Sequence, residues 1–262
     1  MPTNSSHLRP PNISIPDFLN FYAEWKKARS ETVFCFQVGA NDGKINDPLN
    51  AHLSLGDWSG LLVEPQVDVF NRDLTATYAG NTRITLANVA IGPVEGASPF
   101  YRVAISDKRW ATGLSGFRRE NILAHMANGY IQRKARADGI ALPQCLSDMI
   151  ETITVPTVTI DNLLSRHGVE HFDVLCIDTE GFDFEILKLV DFGRYRPEVA
   201  IFESRHLSDR DYLAAKKMLF DHGYRLYRDG GDTLATLVNV PGSIRSIGRI
   251  LERAVLRLRG AR

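Results

Sequence analysis

Acidic side chains follow several short apolar runs of the sequence, at the points where the runs end. Asp178 and Glu180 follow one such run. Glu64 ends a second run and Glu203 ends a third. Short apolar runs are typical of strands buried in a parallel sheet, and ligands of such sheets bind beyond the carboxyl ends of the strands. The spacing of these carboxylates therefore predicts an acidic ligand site at one edge of a sheet.

The loop after the first apolar run narrows the choice of ligand. A dinucleotide-binding loop has the pattern Gly-x-Gly-x-x-Gly, which lets a pyrophosphate rest on backbone N–H groups. Here Gly39 and Gly43 enclose three residues, the middle glycine is missing, and the Asp42 carboxylate would repel a pyrophosphate. A ligand with an amino group and a sulfonium charge is compatible with this loop, and S-adenosylmethionine (SAM) is such a ligand. Glu64 lies 21 residues after Gly43, close to the spacing of about 20 at which an acid binds ribose hydroxyls.

Apolar runs and helical patterns alternate along most of the chain, and this alternation predicts the elements that position these residues. Strands that alternate with helices form right-handed βαβ units, so the sequence predicts an α/β fold with a mostly parallel sheet. Residues 224–238 predict a terminal antiparallel hairpin around Asp229-Gly-Gly-Asp232. The other predicted strands cover residues 32–38, 60–63, 84–91, 100–105, 155–158, 172–177 and 199–202, and the predicted helices cover residues 48–55, 66–78, 161–167 with Asp161 as its cap, 183–190 and 209–222.

Three segments stand outside this alternation. Residues 1–30 form an N-terminal segment before a domain at residues 31–240. Residues 106–150 interrupt the pattern with aromatic and basic residues, which predict an insertion over the edge or mouth of the sheet. These side chains would contact an anionic or sugar ligand, or they would form a solvated helix face. Residues 241–262 place isoleucine, leucine and valine on one helical stripe opposite arginines, which predicts a basic amphipathic helix.

Six short motifs follow one another along residues 33–237. They are Gln37-Val-Gly-Ala-Asn-Asp-Gly43, Leu62-Val-Glu-Pro65, Asn88-Val-Ala-Ile-Gly92, Thr159-Ile-Asp-Asn-Leu163, Asp178-Thr-Glu-Gly-Phe182 with Glu185, and Phe202-Glu203. In this order the motifs resemble the FkbM-type family of class I SAM-dependent methyltransferases, and Asp-x-Glu-Gly after an apolar strand is the most diagnostic. The resemblance implies a Rossmann-like, seven-stranded, mostly parallel sheet with helices on both faces and a terminal antiparallel hairpin.

The resemblance also implies roles for individual residues in binding SAM. Glu64 would bind the ribose hydroxyls, and Asp178 would face both the methionine part and the methyl acceptor. Asp42 departs from the commoner family pattern, which has a less polar residue in the loop. The loop around the methionine part would consist of Gly39, Ala40, Asn41, Asp42 and Gly43. The residues beside the adenine would be Asn88, Val89 and Ala90.

The acceptors of this family are typically hydroxyl groups of sugars or other small natural products, so a base must remove the hydroxyl proton. His206, just past the end of a predicted strand, is the first candidate, and the alternative is a surface or capping histidine. Asp178 and Glu180 are alternative bases, or oxygen ligands that would hold Mg²⁺. The simpler interpretation of Glu180 is a carboxylate at a helix start, so Mg²⁺ stays open and no metal site is predicted. His125, in the insertion, would meet the acceptor or lie on the surface.

The composition excludes some classes of partner. The 262 residues include 31 Lys plus Arg and 31 Asp plus Glu, which argues against a protein that coats nucleic acid. This balance is a cancellation, because six arginines and one glutamate give residues 241–262 a charge of +5 and leave −5 for residues 1–240. The basic tail would lie on an anionic membrane surface, or dock on its own domain or on a second copy in a homo-oligomer. Cys35 and Cys176 in central strands and a polar start predict a cytoplasmic protein, with membrane contact at most peripheral.

Two other functions stay open from the sequence alone. One is a Rossmann-type enzyme that binds a nucleotide sugar or a dinucleotide, although the missing middle glycine argues against it. The other is a non-catalytic SAM-binding or scaffold protein that residues 241–262 would bring to a membrane surface. The leading hypothesis is a SAM-dependent O-methyltransferase whose partner is a small-molecule or glycan acceptor.

Overall fold

The computed structural model describes residues 10–242, and its centre is a seven-stranded sheet. In spatial order its strands are β3 (Ile84–Ala87), β2 (Trp58–Val63), β1 (Val33–Val38), β7 (Val174–Ile177), β8 (Val199–Glu203), β10 (Asp232–Thr236) and β9 (Arg225–Asp229). The first five run parallel, and β10 is antiparallel to both of its neighbours. This arrangement confirms the predicted Rossmann-like sheet with a terminal antiparallel hairpin.

Both faces of this sheet are covered, which explains why its central strands are nearly continuous apolar runs. Successive side chains of a strand point to opposite faces, so Phe36 and Val38 belong to one hydrophobic cluster while Val33 and Cys35 belong to the other. The helices are α1 (Ile15–Lys27), α2 (Asn50–Leu55), α3 (Val67–Val69), α4 (Thr75–Thr77), α5 (Arg109–Thr112), α6 (Arg119–Ala127), α7 (Tyr130–Ala137), α8 (Ile160–Arg166), α9 (Asp183–Leu189) and α10 (Asp209–Asp221), with a π-helical turn at Phe70–Leu74 and a 3₁₀ helix at Leu146–Met149.

Helix α1 precedes the predicted domain boundary at residue 31, yet it packs into the core of the sheet. Ser14 caps the helix by accepting a hydrogen bond from the backbone N–H of Asp17 at 3.2 Å. Near its end, Lys26 Nζ lies 2.8 Å from Oδ1 of Asp173, just before β7. The helix residues buried against the sheet include Ile15, Phe18, Leu19 and Tyr22. The described part of the N-terminal segment therefore contributes to the domain core.

A second, three-stranded sheet has the order β4 (Ala90–Ile91), β6 (Ile150–Val158) and β5 (Gly96–Val103). The prediction of one strand over residues 84–91 is wrong, because the chain leaves the main sheet after Ala87 and enters the second sheet at Ala90. Asn88 lies at this break, where its Nδ2 donates to the Glu64 carbonyl at 2.8 Å. This side-chain bond links the break to the end of β2, at the point where the chain leaves the main sheet.

The predicted insertion at residues 106–150 contains α5, α6, α7 and the 3₁₀ helix, and it has a hydrophobic cluster of its own. Val103 of β5 packs there with Ile122 and Ile131 of the insertion. Tyr101 and Gly116 exchange both backbone hydrogen bonds, at 2.9 and 3.0 Å, which ties the loop after α5 to the second sheet. The second sheet therefore serves as the platform for the insertion.

Helix α8 begins differently from the prediction, in which Asp161 is its cap. The cap is Thr159, whose hydroxyl accepts a hydrogen bond from the backbone N–H of Asn162 at 3.3 Å. Asp161 lies in the first turn and accepts a hydrogen bond from the Tyr195 hydroxyl at 2.6 Å. A threonine two residues earlier thus satisfies the helix start, and Asp161 is left free to bond the neighbouring segment.

The predicted basic amphipathic helix at residues 241–262 lies outside the described residues from residue 243 onward. Within residues 10–242, every helix is too short or too polar to span a lipid bilayer.

Candidate active site

The loop after β1 turns sharply over the end of the sheet. The backbone N–H groups of Gly39 and Ala40 both donate to the Val63 carbonyl, at 2.9 and 3.0 Å, which fixes the loop to the end of β2. Gly39 has φ +86°, and a Cβ at this position would lie 1.9 Å from the carbonyl oxygen of Asp178. The close approach of the β1 and β7 ends therefore requires glycine at residue 39.

Glu64 follows β2 and lies against the same loop. Its buried carboxylate accepts hydrogen bonds from the backbone N–H groups of Asn41 at 2.9 Å and Gln66 at 2.8 Å. Burial raises the pKa of the Glu64 carboxyl to about 7, and these hydrogen bonds and the Arg109 charge oppose the rise. Gln66 Nε2 donates to the same carboxylate at 3.2 Å, and since a carboxylate has about four acceptor positions, Glu64 keeps about one position for a hydroxyl group of a ligand.

A cavity between these strand ends and the insertion encloses about 540 Å³, including space open to solvent. Half of the residues predicted to bind the cofactor line it: Gly39, Asn41, Glu64, Ala90 and Asp178. Glu180, which the sequence predicts to be catalytic, lines it as well. The cavity thus collects predicted residues from four separate segments of the chain.

The other predicted cofactor residues do not line this cavity. Asp42 Oδ1 accepts hydrogen bonds from the backbone N–H groups of Lys44 and Ile45, both at 3.0 Å, so this carboxylate stabilises the turn. Asn88 holds the end of β2, as described above. The remaining three are Ala40, Gly43 and Val89, of which Val89 packs against the core. These residues shape the loops around the cavity.

Several polar residues of the cavity wall carry no motif in the sequence: Gln66, Arg109, Thr112 and Ser115. Gln66 Nε2 donates to the Thr112 carbonyl at 3.1 Å, and the Thr112 hydroxyl donates to Asn41 Oδ1 at 3.3 Å. These bonds join the insertion to the β1 loop. For the residues of the insertion, the one sequence signal of a role in the cavity wall is the basic and aromatic composition of that segment.

The wall contains buried polar atoms without a hydrogen-bond partner among residues 10–242: Arg109 Nε, Ser115 Oγ and Thr179 Oγ1. Buried polar groups are nearly always hydrogen-bonded, so these atoms indicate a polar ligand. The same wall includes the apolar side chains of Ile91 and Phe117. SAM combines a charged methionine part, ribose hydroxyls and a flat base, and this lining fits such a molecule.

The loop between β7 and α9 carries Asp178 and Glu180 into the site. Asp183, buried at the start of α9, accepts hydrogen bonds from the backbone N–H groups of Gly181 at 3.1 Å and Glu203 at 3.3 Å. Asp183 therefore ties this loop to the end of β8. Glu180 has φ +51°, a left-handed conformation that is uncommon outside glycine and that concentrates at functional sites.

A second cleft adjoins the cavity and encloses about 1940 Å³, including space open to solvent. The residues that line both are Arg109, Gly113, Asp178 and Glu180. The rest of the cleft wall includes aliphatic residues such as Ile15, Ile45 and Leu114, and the following polar and aromatic residues: Trp110, His125, Tyr130, Lys134, Glu203, Arg205, His206, Asp229 and Asp232. Molecules in the cavity and the cleft would therefore meet at Asp178 and Glu180.

His206 lies in the cleft wall beside two carboxylates. Its Nε2 is 3.7 Å from an oxygen of Glu180 and 3.7 Å from an oxygen of Glu203. Burial, together with His125 and Arg205, lowers the pKa of His206 to about 4, so its imidazole is neutral at neutral pH. The cleft brings together all three residues predicted to be catalytic, Asp178, Glu180 and His206.

The pKa values of Asp178, Glu180 and Glu203 in this cleft are all raised, by burial and, for the two glutamates, by repulsion between carboxylates. Burial raises the pKa of Asp178, while Arg109 and Arg205 oppose the rise. Burial and the neighbouring carboxylates raise the pKa of Glu180 to about 9 and that of Glu203 to about 8. Groups that titrate near neutral pH can hold or release a proton during a reaction.

Comparison with known protein families gives one match. The family model of the methyltransferase FkbM domain matches residues 37–226, which is well over half of the chain. Curated protein sequences give no match.

Solved structures with a similar chain path include several methyltransferases. Methyltransferase FkbM from Methylobacillus flagellatus KT has 13% identity and a TM-score of 0.46, and the alignment covers 78% of this chain and 43% of that chain. The present chain thus spans less than half of the length of that protein. Precorrin-6y C5,15-methyltransferase from Geobacter metallireducens GS-15 has 10% identity over 78% of both chains, with a TM-score of 0.38. The N-terminal domain of human METTL16 in complex with SAH has 11% identity over 86% of this chain and 70% of that chain, with a TM-score of 0.41.

Proposed function

This chain belongs to the FkbM methyltransferase family, and from that premise we propose that it methylates a hydroxyl group of a sugar, a glycan or another small natural product. The family makes it a SAM-dependent methyltransferase, and SAM supplies a methyl group made electrophilic by its sulfonium. One observation supports the proposal most: a cavity whose lining fits SAM meets an open polar cleft at Asp178 and Glu180.

The enclosed cavity has groups suited to each part of SAM. Glu64 would accept hydrogen bonds from the ribose hydroxyls, because it ends the second strand of the sheet where an acid has this role. Arg109 would bind the methionine carboxylate, since its Nε is buried without a hydrogen-bond partner among the described residues. Ala90 and Phe117 would contact the adenine through their apolar atoms.

The composition of the open cleft favours an acceptor rich in hydroxyl groups. Trp110 and Tyr130 offer flat apolar faces, which suit the C–H face of a sugar ring. Lys134, Asp229 and Asp232 offer donors and acceptors for hydroxyl groups. Aromatic faces beside hydrogen-bonding groups support a sugar or glycan over a purely apolar acceptor.

Methylation of a hydroxyl requires a proton acceptor, because the oxygen loses its proton as it replaces sulfur on the methyl carbon. We assign this role to the group formed by Asp178, Glu180 and His206. His206 is the first candidate, since it lines the open cleft with its Nε2 3.7 Å from an oxygen of Glu180, and its imidazole is neutral at neutral pH. Asp178 is the first alternative, because it lines both cavities and burial raises its pKa. Holding the oxygen about 3–3.5 Å from the methyl carbon would supply much of the rate enhancement.

The test of the reaction is to incubate the full chain with methyl-labelled SAM and an extract of the cells that produce it, followed by mass spectrometry. We expect one labelled product with the label on a hydroxyl oxygen. Asp178→Ala should abolish labelling, and Asp191→Ala, which changes an exposed aspartate outside both cavities, should preserve it. Label on nitrogen or carbon would contradict O-methylation.

Binding measurements separate the proposal from its alternatives. Calorimetry with S-adenosylhomocysteine should give one saturable site, and titration with NADH should leave its fluorescence unchanged. The reverse pair of results would indicate a dinucleotide-binding enzyme. Binding of S-adenosylhomocysteine without label transfer to any acceptor would indicate a non-catalytic SAM-binding protein.

A further inference from the structure

Three side chains with metal-ligating atoms converge on the wall of the open cleft from distant parts of the sequence. His125 comes from α6 of the insertion, Glu180 from the loop after β7, and His206 from the segment after β8. One ligand atom of each lies within 4.8 Å of the others. Nε2 of His206 is 3.7 Å from Oε2 of Glu180.

We propose that His125, Glu180 and His206 bind a divalent transition-metal ion at this point. Two imidazole nitrogens and one carboxylate form a ligand set that zinc and similar ions accept, with a further position left open for water or substrate. Ligand atoms about 2 Å from a shared ion lie about 3–3.5 Å from one another, so the observed separations need a small contraction. Mg²⁺ prefers oxygen ligands, and the two histidines favour a transition metal over it.

Unpartnered polar atoms at the same place provide a second, independent observation. The side chain of Glu203 is 9% exposed, and its Oε2 is buried without a hydrogen-bond partner among the described residues, 3.7 Å from Nε2 of His206. Nδ1 of His125 is likewise buried and unpartnered within residues 10–242. Buried polar atoms of native proteins are nearly always satisfied, and an ion that coordinates or orders these groups would satisfy them.

The charges around Glu180 are consistent with an ion. Among the described residues its polar contacts are Asn121, whose Nδ2 donates to Oε2 at 3.2 Å, and His206, and none of its ion pairs involves a lysine or an arginine. Asp178 and Glu203 lie close enough to form a second candidate ligand set with Glu180. Arg205 Nε pairs with Oε1 of Glu203 at 2.8 Å, whereas Glu180 has no such partner among the described residues, so a divalent charge would be stabilised beside Glu180.

The ion would refine the proposed function, on which this part of the inference rests. An acceptor hydroxyl in the open coordination position would lose its proton more easily. His206 would then use its lone pair for coordination, and the proton would pass to Asp178, which lines both cavities and lies outside the histidine-containing set. His206, the first candidate for the proton acceptor, would thus act through the ion.

Calorimetric titration of the full chain, after treatment with a chelator and desalting, tests the site with Zn²⁺, Mn²⁺ and Mg²⁺ as probes. We expect one saturable site per chain for Zn²⁺ or Mn²⁺, with weaker binding of Mg²⁺. His125→Gln and His206→Gln should each weaken binding by about 10–100-fold or more. His167→Gln, which changes an exposed histidine outside the cleft, is the matched control and should bind as the unaltered chain does. Unchanged affinity for S-adenosylhomocysteine in every variant would establish that each variant folds.

Absence of saturable metal binding would overturn the site. So would metal affinities of the His125 and His206 variants that equal the affinity of the unaltered chain. Its failure is distinguishable from that of the proposed function. If S-adenosylhomocysteine binds and label is transferred while no metal binds, the metal site is wrong and His206 keeps the direct role. If metal binds with the expected variant pattern while no acceptor is labelled, the metal site stands and the proposed reaction is wrong.

Discussion

The two cavities that meet at Asp178 and Glu180 are built in different ways. The cavity proposed to bind SAM, called the cofactor cavity below, is lined mainly by loops at strand ends and by residues 109–117 of the insertion. Hydrogen bonds to backbone groups hold its strand-end loops: Gly39 donates to Val63, and Glu64 accepts from Asn41. The cleft proposed to bind the acceptor, called the acceptor cleft below, is lined mainly by the insertion and by the loops after β7, β8 and β9, with further residues from the start of α1 and from residues 45–48 after β1. Its acids and histidines lie near one another, and Nδ1 of His125 and Oε2 of Glu203 have no hydrogen-bond partner within residues 10–242.

This difference explains which part of the molecule adapts to a substrate. A loop held by backbone bonds keeps its shape when surface side chains change, which suits a cofactor shared by a whole family. A cleft built from side chains can be rebuilt by substitutions in the insertion without disturbing the main sheet. We therefore expect variants of the cofactor cavity to change SAM binding and stability, and variants of the cleft to change turnover.

The largest expected effect is in the cleft. His206→Gln should lower kcat by about 10²–10⁴-fold, because the residue removes the acceptor proton or acts on it through an ion. Affinity for S-adenosylhomocysteine should stay within about twofold, since His206 does not line the cofactor cavity. Single-turnover kinetics with labelled SAM and calorimetry measure the two quantities. His222→Gln, which changes an exposed histidine directly after α10, should change neither. Loss of cofactor affinity in the His206 variant would contradict the separation of the two cavities.

Gly39→Ala should give the next largest effect, on the cofactor side. The added Cβ would lie 1.9 Å from the Asp178 carbonyl oxygen, so the β1 and β7 ends must separate. We expect a loss of about 3 kcal/mol of unfolding free energy and loss of measurable cofactor binding. Chemical denaturation and calorimetry provide the measurements.

Gly80→Ala is the matched control for this variant. Gly80 has φ +78° with no atom within 4 Å of the added Cβ, so its cost of about 1 kcal/mol reports backbone strain alone. Equal costs for the two glycines would mean that the contact with Asp178 has no energetic role.

Asp183→Ala tests the residue that joins the two sides. Its carboxylate accepts from the backbone N–H groups of Gly181 and Glu203, so the variant leaves buried donors unpaired. We expect a loss of about 2 kcal/mol of unfolding free energy, together with a lower kcat, because both loops of the cleft lose their anchor. Asp191→Ala removes similar bonds, to Gly193 and Arg194 at 3.0 Å, from an exposed turn and should cost less than about 1 kcal/mol. A similar cost for both variants would argue against the anchoring role.

The same contrast explains what the sequence could predict. The cofactor residues Gly39, Glu64 and Asp178 stand at the ends of apolar runs, so local patterns were enough to predict that they meet. Asn88 lies inside the third predicted strand, residues 84–91, yet the strand breaks there and the Asn88 side chain bonds to the Glu64 carbonyl, a contact that no local pattern signals. The α/β class and the terminal hairpin follow from the alternation and turn patterns, whereas the number of seven strands in the main sheet is implied by the family resemblance. The second sheet does not follow from these patterns, because β6 is separated from β4 and β5 by the whole insertion, and no local pattern signals that these strands pair.

The cleft residues could be named one at a time from the sequence but not assembled. His125 and His206 lie 81 residues apart, and they approach only because the insertion folds onto the second sheet. Arg109 has no motif at all, and its position over the cofactor cavity depends on the same packing. Helix α1 had a usable signal in its Ser14 cap, yet its contribution to the core depends on contacts with the sheet. Long-range packing of this kind leaves no local pattern.

The smallest expected effect is the pH dependence of the cofactor cavity, through Glu64. Burial raises the pKa of its carboxyl from 4.5 to about 7, so between these values the folded chain keeps a proton that the unfolded chain has lost. The contribution of this group to stability therefore falls as pH rises through this window, and the cost persists above it. Affinity for S-adenosylhomocysteine should move in the opposite direction, rising by about 3- to 10-fold between pH 6 and pH 8, because the ionised carboxylate is the better acceptor for ribose hydroxyls. Glu64→Gln should flatten both profiles, which separates this group from titration of the ligand itself. If the affinity of the glutamine variant kept the same pH dependence, a group other than Glu64 would control it. Ionisation of Glu64 would then have no role in cofactor binding.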